Sequence, residues 1–203
     1  MTAYIICLIV GYFCGCISMG YFVGRFYHMD IRTKGSGNAG TTNVLRNLGK
    51  IPALITFAGD LAKAIIPILV IRLVFAPEQW YLWCLYCGLG VVLGHNYPFY
   101  LGFKGGKGIL CSGTLLLLLD WRIAAVGWGL FALLWLTTRY VSLGSVSGAV
   151  SFPVTTLIFC PGNWTVFVLS LLIAALVIWA HRENISRLLH GTESRFRWHT
   201  DAP

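Results

Sequence analysis

Charged side chains are scarce in this sequence of 203 residues, and acidic ones are the scarcest, with seven Asp and Glu against 15 Lys and Arg. Charged residues make up 11% of the chain, whereas a soluble protein carries about 25%. So few charges cannot cover a water-facing surface. The low number of acids also excludes a metal site built from clustered carboxylates.

The seven cysteines do not indicate a disulfide framework, because their number is odd and each lies in an apolar stretch. We interpret them as small buried hydrophobes. Cys84 and Cys87 form a CxxC pair, but no second pair or nearby histidine pair completes a zinc site. We therefore expect neither a metal nor a cofactor.

Long apolar segments fill much of the chain, which is 57% hydrophobic with a mean hydropathy of +0.75. A membrane-spanning helix needs about 20 mostly apolar residues. The sequence predicts an all-α integral membrane protein, folded as a single polytopic domain over residues 1–203. The number of spans lies between five and seven, because the fourth candidate segment is short. We favour seven spans, at residues 2–24, 51–74, 80–99, 108–119, 122–138, 143–160 and 163–181.

Basic residues are distributed unequally between the two sides of this arrangement. The side with the excess is expected to be cytoplasmic, which puts the N-terminus in the periplasm and the C-terminus in the cytoplasm. The opposite side has Arg72 and Arg122. Twelve of the 15 basic residues lie on the cytoplasmic side: Arg25, Arg32, Lys34, Arg46, Lys50, Lys104, Lys107, Arg139, Arg182, Arg187, Arg195 and Arg197.

Three further features concern the membrane passes. Gly11, Gly15, Gly20 and Gly24 form GxxxG spacings, which allow helices to approach closely. Asp60 and Lys63 lie inside the second pass at i, i+3, and we expect a mutually neutralising pair that supports the site, with a proton relay as the alternative. An aromatic belt is predicted at the outer ends of the passes, formed by Trp80, Trp83, Trp121 and Trp164.

The first of four polar blocks is GSGNAGTTNVLR at 35–46. It satisfies G-x-G-x-x-G, but no strand precedes it, so a dinucleotide-binding fold is not indicated. Glycines allow backbone N–H groups to converge on an anion, and hydroxyl and Arg side chains add donors. We therefore favour an anion site over a flexible, solvated loop.

The second block is GHNYPFYLGFKGGKG at 94–108. It is not a Walker A loop, because no Ser or Thr follows Lys107. A glycine–lysine loop at the start of a helix is nevertheless suited to bind phosphate. His95 is either catalytic or a residue that ties the loop.

The third and fourth blocks are RYVSLGSVS at 139–147 and HRENISRLLHGTES at 181–194. Ser142, with two further serines, interrupts an apolar helix start and is a candidate helix cap. His181 and Asn184 are three residues apart and share one helix face. All four blocks fall on the predicted cytoplasmic side.

In order and composition, the blocks resemble those of the bacterial acyl-phosphate:glycerol-3-phosphate acyltransferases, the PlsY family. The resemblance covers almost the whole chain. It implies transfer of a fatty acyl group from acyl phosphate to the 1-hydroxyl of glycerol 3-phosphate, the first acylation of phospholipid synthesis. Lysophosphatidic acid and phosphate would be the products, formed at the cytoplasmic face of the bacterial inner membrane without a metal.

The resemblance also implies roles for individual residues. Ser36, His181 and Asn184 would serve catalysis. Arg46, Lys104 and Ser142 would bind substrate. The resemblance further implies that the first block and the lysine loop hold the acyl phosphate, through Gly37, Asn38, Thr41, Asn43, Gly105, Gly106, Lys107 and Gly108.

The expected chemistry follows from the reactants. Acyl phosphate is already activated, so a covalent enzyme intermediate is unnecessary. The H-x4-D dyad of other acyltransferases is absent, since no His is followed by Asp at the fifth position, and our hypothesis is that the departing phosphate takes the proton of the attacking hydroxyl.

The expected partners are glycerol 3-phosphate, acyl phosphate and membrane lipid, for a protein that acts as a monomer. The net charge of +8 does not require nucleic acid in a membrane protein. The alternatives are a phosphate or organophosphate transporter, a CDP-alcohol phosphatidyltransferase and a non-enzymatic membrane scaffold. The phosphatidyltransferase would need clustered aspartates, which this chain lacks.

Overall fold

A computed structural model describes residues 1–75 and 80–196, without the side chains of 74 and 75. Within these ranges the chain is helical and contains no strand, which confirms the predicted all-α fold. A π-helical turn at Ile71–Phe75 follows α4. The helices are α1 (Thr2–Cys16), α2 (Met19–Phe26), α3 (Thr41–Leu48), α4 (Lys50–Val70), α5 (Trp80–Asn96), α6 (Ile109–Leu119), α7 (Trp121–Thr138), α8 (Val141–Phe159), α9 (Trp164–Ala180) and α10 (Arg182–Leu189).

Each of the seven predicted segments contains a helix, but the helices differ in length. Among the described residues, four are long and apolar enough to cross a membrane, namely Thr2–Phe26, Lys50–Leu73, Trp121–Thr138 and Val141–Phe159. A fifth span results if α9 and α10 are one span bent by 61°. Helix α6 has 11 residues, which is too short for a straight crossing of a hydrocarbon core of about 30 Å.

Large apolar side chains cover the outer surface of the bundle. Ile55, Leu136 and Leu171 are all exposed, as expected for helices that face lipid rather than water. The interior is formed by side chains such as Leu85 and Leu115, which are fully buried. All seven cysteines are free.

Glycines bring the backbones of α1 and α5 into direct contact. A methyl group on Gly11, Gly15, Gly90 or Gly94 would lie only 2.0–2.2 Å from a carbonyl oxygen of the facing helix. Gly20 is similarly close to the carbonyl oxygen of Ala39, in the first block. The predicted packing role of the GxxxG glycines is therefore confirmed, and α5 supplies a matching pair.

The helical structure is interrupted between α1 and α2, because the backbone is extended at Ile17 and Ser18. We call this interruption the α1–α2 break. Tyr100 closes this break, since its hydroxyl donates to the carbonyl of Cys16 (2.7 Å) and accepts from the amide of Ser18 (3.3 Å). The carbonyl of Ile17 is left free of the helix and accepts from Lys63 (2.8 Å). The break thus presents a backbone acceptor to α4.

The bundle end opposite the four blocks carries the remaining predicted features. Arg72 donates to the carbonyl of Leu118 and lies over the ring of Trp80. Arg122 pairs with Asp120 at 2.8 Å. Trp121 and Trp164 are exposed at the starts of their helices, as membrane-interface residues would be.

We predict that the α1–α5 contact tolerates no side chain at Gly11. Gly11→Ala places a methyl group 2.1 Å from the carbonyl oxygen of Cys87. The helices must separate, at a cost of about 1–3 kcal/mol, which corresponds to a fall in Tm of at least about 3 °C.

Gly129→Ala is the matched control, because a methyl group there has no atom within 4 Å. Both changes carry the same gain in helix propensity. Thermal unfolding in detergent should show a lower Tm for Gly11→Ala and an equal or higher Tm for Gly129→Ala. Equal Tm values for the two variants would contradict the packing described here.

Candidate functional site

Asn43 organises the first block from inside. Its side chain is 2% exposed, and its Nδ2 lies within 3.0 Å of the carbonyl oxygens of Ile31, Lys34 and Asn38. Its Oδ1 accepts from the amide of Ser36 at 3.0 Å. These contacts hold the loop in one shape and leave Ser36 exposed.

The loop needs glycine where it bends. Gly35 and Gly37 have φ values of +55° and +67°, a region that favours glycine. Thr41 begins α3, and Arg46 is exposed near the end of the same helix. The short helix therefore presents the arginine beside the loop.

The second block folds back onto the end of α5. The amides of Gly105 and Gly106 donate to the carbonyls of Asn96 (3.0 Å) and His95 (2.9 Å). A methyl group on either glycine would lie 2.1 Å or less from an atom of His95. In this conformation the two glycines serve close packing, and their N–H groups are not free to bind phosphate.

The rest of the loop leads into α6. Gly108 is the N-cap of α6 and has a φ of +77°. The side chain of Asn96 lies beneath it, 3% exposed, and neither of its polar atoms has a hydrogen-bond partner among the described residues. Asn96, the last residue of α5, was not predicted to be a site residue, because a single amide before a Tyr-Pro sequence carries no distinctive signal. Lys104 is exposed at the rim of the loop.

Direct contacts join the four blocks at one end of the bundle, which we call the polar end. Asn38 Nδ2 reaches the carbonyl oxygen of Gly105 at 3.5 Å, linking the first block to the second. Lys107 Nζ donates to Asn184 Oδ1, linking the second to the fourth. Residues far apart in the sequence therefore form one site.

Glu193 links the fourth block to the third, and the sequence analysis did not single it out. Its carboxylate accepts from Ser142 Oγ (2.8 Å), Asn184 Nδ2 (2.7 Å) and Arg187 Nε (2.7 Å). Burial raises its pKa, but these three hydrogen bonds outweigh burial and hold the pKa below its usual range. The only signal available in the sequence was that Glu193 is one of two acids in a block that also carries two arginines.

His181 occupies the bend between α9 and α10 and is 3% exposed. Its Nδ1 lies 2.8 Å from the carbonyl oxygen of Val177. A carbonyl only accepts, so Nδ1 carries a proton and Nε2 of the neutral ring is an acceptor. The ring can therefore accept a hydrogen bond from a hydroxyl group.

Lys107 is the half-buried cation of the site. Burial lowers its pKa to about 8, an effect that Glu193 partly offsets and that the nearby positive charges of Arg187 and Arg46 increase. An anion bound here would gain from weak solvation of the ammonium group and from the surrounding positive charge. The arrangement is suited to bind phosphate.

An apolar cleft between α6, α7, α8 and α9 lies next to this polar end. Gly113, Trp128 and Phe152 line it, and Trp128 Nε1 donates to the carbonyl of Gly113 at 3.1 Å. Val177, whose carbonyl contacts His181, also lines the cleft. The cleft and the imidazole of His181 are thus separated by one residue.

Within the described residues, no three His, Cys, Asp or Glu side chains lie close enough to hold a metal ion. The fold and the site together define a helical membrane protein with a cationic, glycine-rich site at one end of its bundle.

Comparison with known proteins identifies the family. The family model described as glycerol-3-phosphate acyltransferase matches residues 5–191. A protein of that name from Thermus thermophilus is 44% identical over 195 residues, covering 96% of each chain. One from Prochlorococcus marinus (strain MIT 9215) is 37% identical over 194 residues, covering 94% of this chain and 96% of its own. The chain belongs to the glycerol-3-phosphate acyltransferase family.

Solved structures of the integral membrane acyltransferase PlsY (YgiH) share the fold. Its glycerol 3-phosphate form gives a TM-score of 0.86 at 36% identity, covering 96% of each chain. Its lysophosphatidic acid form gives 0.82 at 35% identity, covering 96% of this chain and 95% of that one. The predicted resemblance to the PlsY family is confirmed.

We predict that Glu193 holds the third and fourth blocks together. Glu193→Gln removes the charge that Arg187 pairs with, at a cost of about 2 kcal/mol, and should lower Tm by several degrees. Glu183→Gln is the control, because Glu183 is exposed and its pairing distance to Arg182 is 4.0 Å. Thermal unfolding in detergent that gives the same Tm for both variants would contradict this role.

Proposed function

We propose that this protein transfers a fatty acyl group from acyl phosphate to the 1-hydroxyl of glycerol 3-phosphate, giving lysophosphatidic acid and phosphate. The observation that carries the proposal is the proximity of a cationic site to an apolar cleft, because Val177 lines the cleft and its carbonyl contacts His181. A phosphate-bearing lipid needs both environments side by side. The glycerol 3-phosphate and lysophosphatidic acid forms of the similar PlsY support the choice of acceptor and product.

The proposed membrane arrangement has seven spans, with the N-terminus in the periplasm and the C-terminus in the cytoplasm of a bacterial inner membrane. Residues 1–203 form one polytopic domain that acts as a monomer. The basic blocks at the polar end support this orientation, because Arg72 and Arg122 lie at the other end. Arg197, one of the predicted orientation charges, lies outside the described residues.

Two phosphates must be held in the proposed site. The positive charges that do so are Arg46, Lys104 and Lys107, with the hydroxyl of Ser142 nearby. The acyl phosphate lies on the lysine loop and the first block, including Gly37, Asn38, Thr41, Asn43, Gly105, Gly106 and Gly108. Asn43, Gly105 and Gly106 act there by shaping the loops, because their polar groups form hydrogen bonds within the protein.

The proposed reaction is a direct transfer. His181 Nε2 accepts a hydrogen bond from the neighbouring 2-hydroxyl, which orients the 1-hydroxyl toward the acyl carbon and leaves its proton free for the departing phosphate. The new C–O bond forms as the bond from the acyl carbon to the phosphate oxygen breaks, and the hydroxyl proton passes to the departing phosphate. Ser36 or Asn184 donates a hydrogen bond to the oxyanion that develops.

We expect the purified protein to release phosphate from palmitoyl phosphate only when glycerol 3-phosphate is present and without added metal. His181→Ala should lower kcat at least about 100-fold, because the hydrogen bond that orients glycerol 3-phosphate is lost. His190→Ala is the matched control, since His190 makes the same contact to its i−4 carbonyl (2.8 Å) but is exposed. A colorimetric phosphate assay measures both.

Three outcomes would contradict the proposed function. Phosphate release that is independent of the acceptor would indicate a phosphatase. Uptake of glycerol 3-phosphate into vesicles without acylation would indicate a transporter. Full activity of His181→Ala would remove the role given to the imidazole.

We predict an alkaline limit that depends on Lys107. Its pKa of about 8 means that the ammonium form dominates below pH 8 and is lost above it, so kcat/KM for acyl phosphate should fall as the pH rises past 8. Lys107→Arg keeps its charge at every pH used. The pH profile of this variant should lack the alkaline fall, and an identical fall in both proteins would assign it to another group.

A further inference from the structure

A charge cluster is buried in the bundle below the polar end. Asp60 and Lys63 on α4 are 2% and 5% exposed, and their side chains form an ion pair at 2.8 Å, which confirms the pair predicted from the sequence. Lys63 Nζ also lies 2.8 Å from the carbonyl oxygen of Ile17 and 2.8 Å from His95 Nδ1. One ammonium group thus contacts α4, the α1–α2 break and the end of α5.

The contact with Lys63 determines which ring nitrogen of His95 carries the proton. An ammonium group has three N–H donors and no acceptor, so Lys63 donates in its contacts with Ile17 and His95, and it faces Asp60 as an ion pair. Nδ1 of His95 must then be the acceptor, which leaves the proton of the neutral ring on Nε2. Asp60 lies 3.9 Å from Nδ1, too far to compete for it.

The opposite edge of the His95 ring supports the lysine loop. A methyl group on Gly106 would lie 1.9 Å from His95 Nε2, and the amide of Gly106 donates to the carbonyl of His95 at 2.9 Å. Both the ring and the backbone of His95 therefore touch the residue that precedes Lys107. The His95 ring is therefore packed directly against the backbone of the loop.

Neutralising the charge of Lys63 requires only Asp60, so charge balance does not account for the contact with His95. We propose that Lys63 is a positioning residue, which holds the His95 ring in its Nε2–H form against Gly106 and so fixes the loop that presents Lys107 to phosphate. The activity tests below depend on the proposed function, whereas the spectroscopic test does not.

The decisive variant removes both charges together. Lys63→Met alone leaves Asp60 buried without a partner, which destabilises a fold strongly, whereas replacing both members of a buried pair by apolar residues is often tolerated. We therefore expect Asp60→Leu/Lys63→Met to keep a Tm close to the parent value. Its KM for at least one of the two phosphate substrates should rise at least tenfold, with a smaller change in kcat.

If Asp60 and Lys63 only neutralised each other's charge, the double variant would behave differently. Its KM values would equal those of the parent protein, and that result would overturn the proposal. A proton relay through the pair would lower kcat and leave KM unchanged, which would also overturn it.

The His95 side chain offers a second test by shape. His95→Asn can keep an amide oxygen near the position of Nδ1, where it accepts from Lys63, but it leaves the space beside Gly106 empty. His95→Gln reaches Gly106 but leaves Lys63 without an acceptor at the position of Nδ1. Because the proposal needs both contacts, each variant should raise KM at least tenfold. A KM within about threefold of the parent value in either variant would contradict the proposal.

The proton position can be measured directly by nitrogen NMR of protein labelled with ¹⁵N-histidine, with His95 assigned by the loss of its signals in His95→Gln. We expect a protonated Nε2 and an unprotonated Nδ1, and a mixture of the two forms in Asp60→Leu/Lys63→Met. A protonated Nδ1 in the parent protein, or no change in the double variant, would overturn the proposal. This readout holds even if the protein acylates nothing.

Discussion

The contact between the backbones of α1 and α5 determines where the polar residues of this protein can meet. Four glycines remove the side chains that would keep the two helices apart. Helices in lipid lack a hydrophobic drive to associate, so close backbone packing of this kind supplies much of their attraction. The contact brings the α1–α2 break beside the end of α5, where Ile17 and His95 both reach Lys63.

The polar end is held together with very few acidic residues. The chain has seven acidic residues, and one of them, Glu193, holds a serine, an asparagine and an arginine from two blocks. The cations proposed to hold phosphate are Lys107, which is half-buried, and Arg46 and Lys104, which are exposed. An excess of positive charge in a partly dry site attracts phosphate, and the adjoining cleft suits an acyl chain.

Much of the architecture could be predicted from the sequence. Apolar length located a helix in every predicted segment, and the i, i+3 spacing of Asp60 and Lys63 predicted their ion pair. Spacing within one helix fixes which residues share a face, so these local predictions succeeded. The number of spans, the orientation and the roles of the site residues remain predictions.

Contacts between distant segments could not be predicted in the same way. Nothing in the sequence pairs Gly11 with Cys87, or Glu193 with Ser142, because each contact depends on how whole helices pack. The amides of Gly105 and Gly106 also bond to α5 rather than facing outward. The glycine–lysine sequence predicted a loop that binds phosphate with its backbone, whereas close packing against His95 is what requires glycine at these two positions.

The proposed reaction transfers the acyl group directly between the two substrates, and isotope exchange can test this. The protein is incubated with palmitoyl phosphate and ³²P-labelled inorganic phosphate in the absence of glycerol 3-phosphate. Direct transfer needs the acceptor hydroxyl, so no label should enter palmitoyl phosphate. Label that appears there without acceptor, and that is lost in Ser36→Ala, would show a covalent acyl-enzyme and contradict the account.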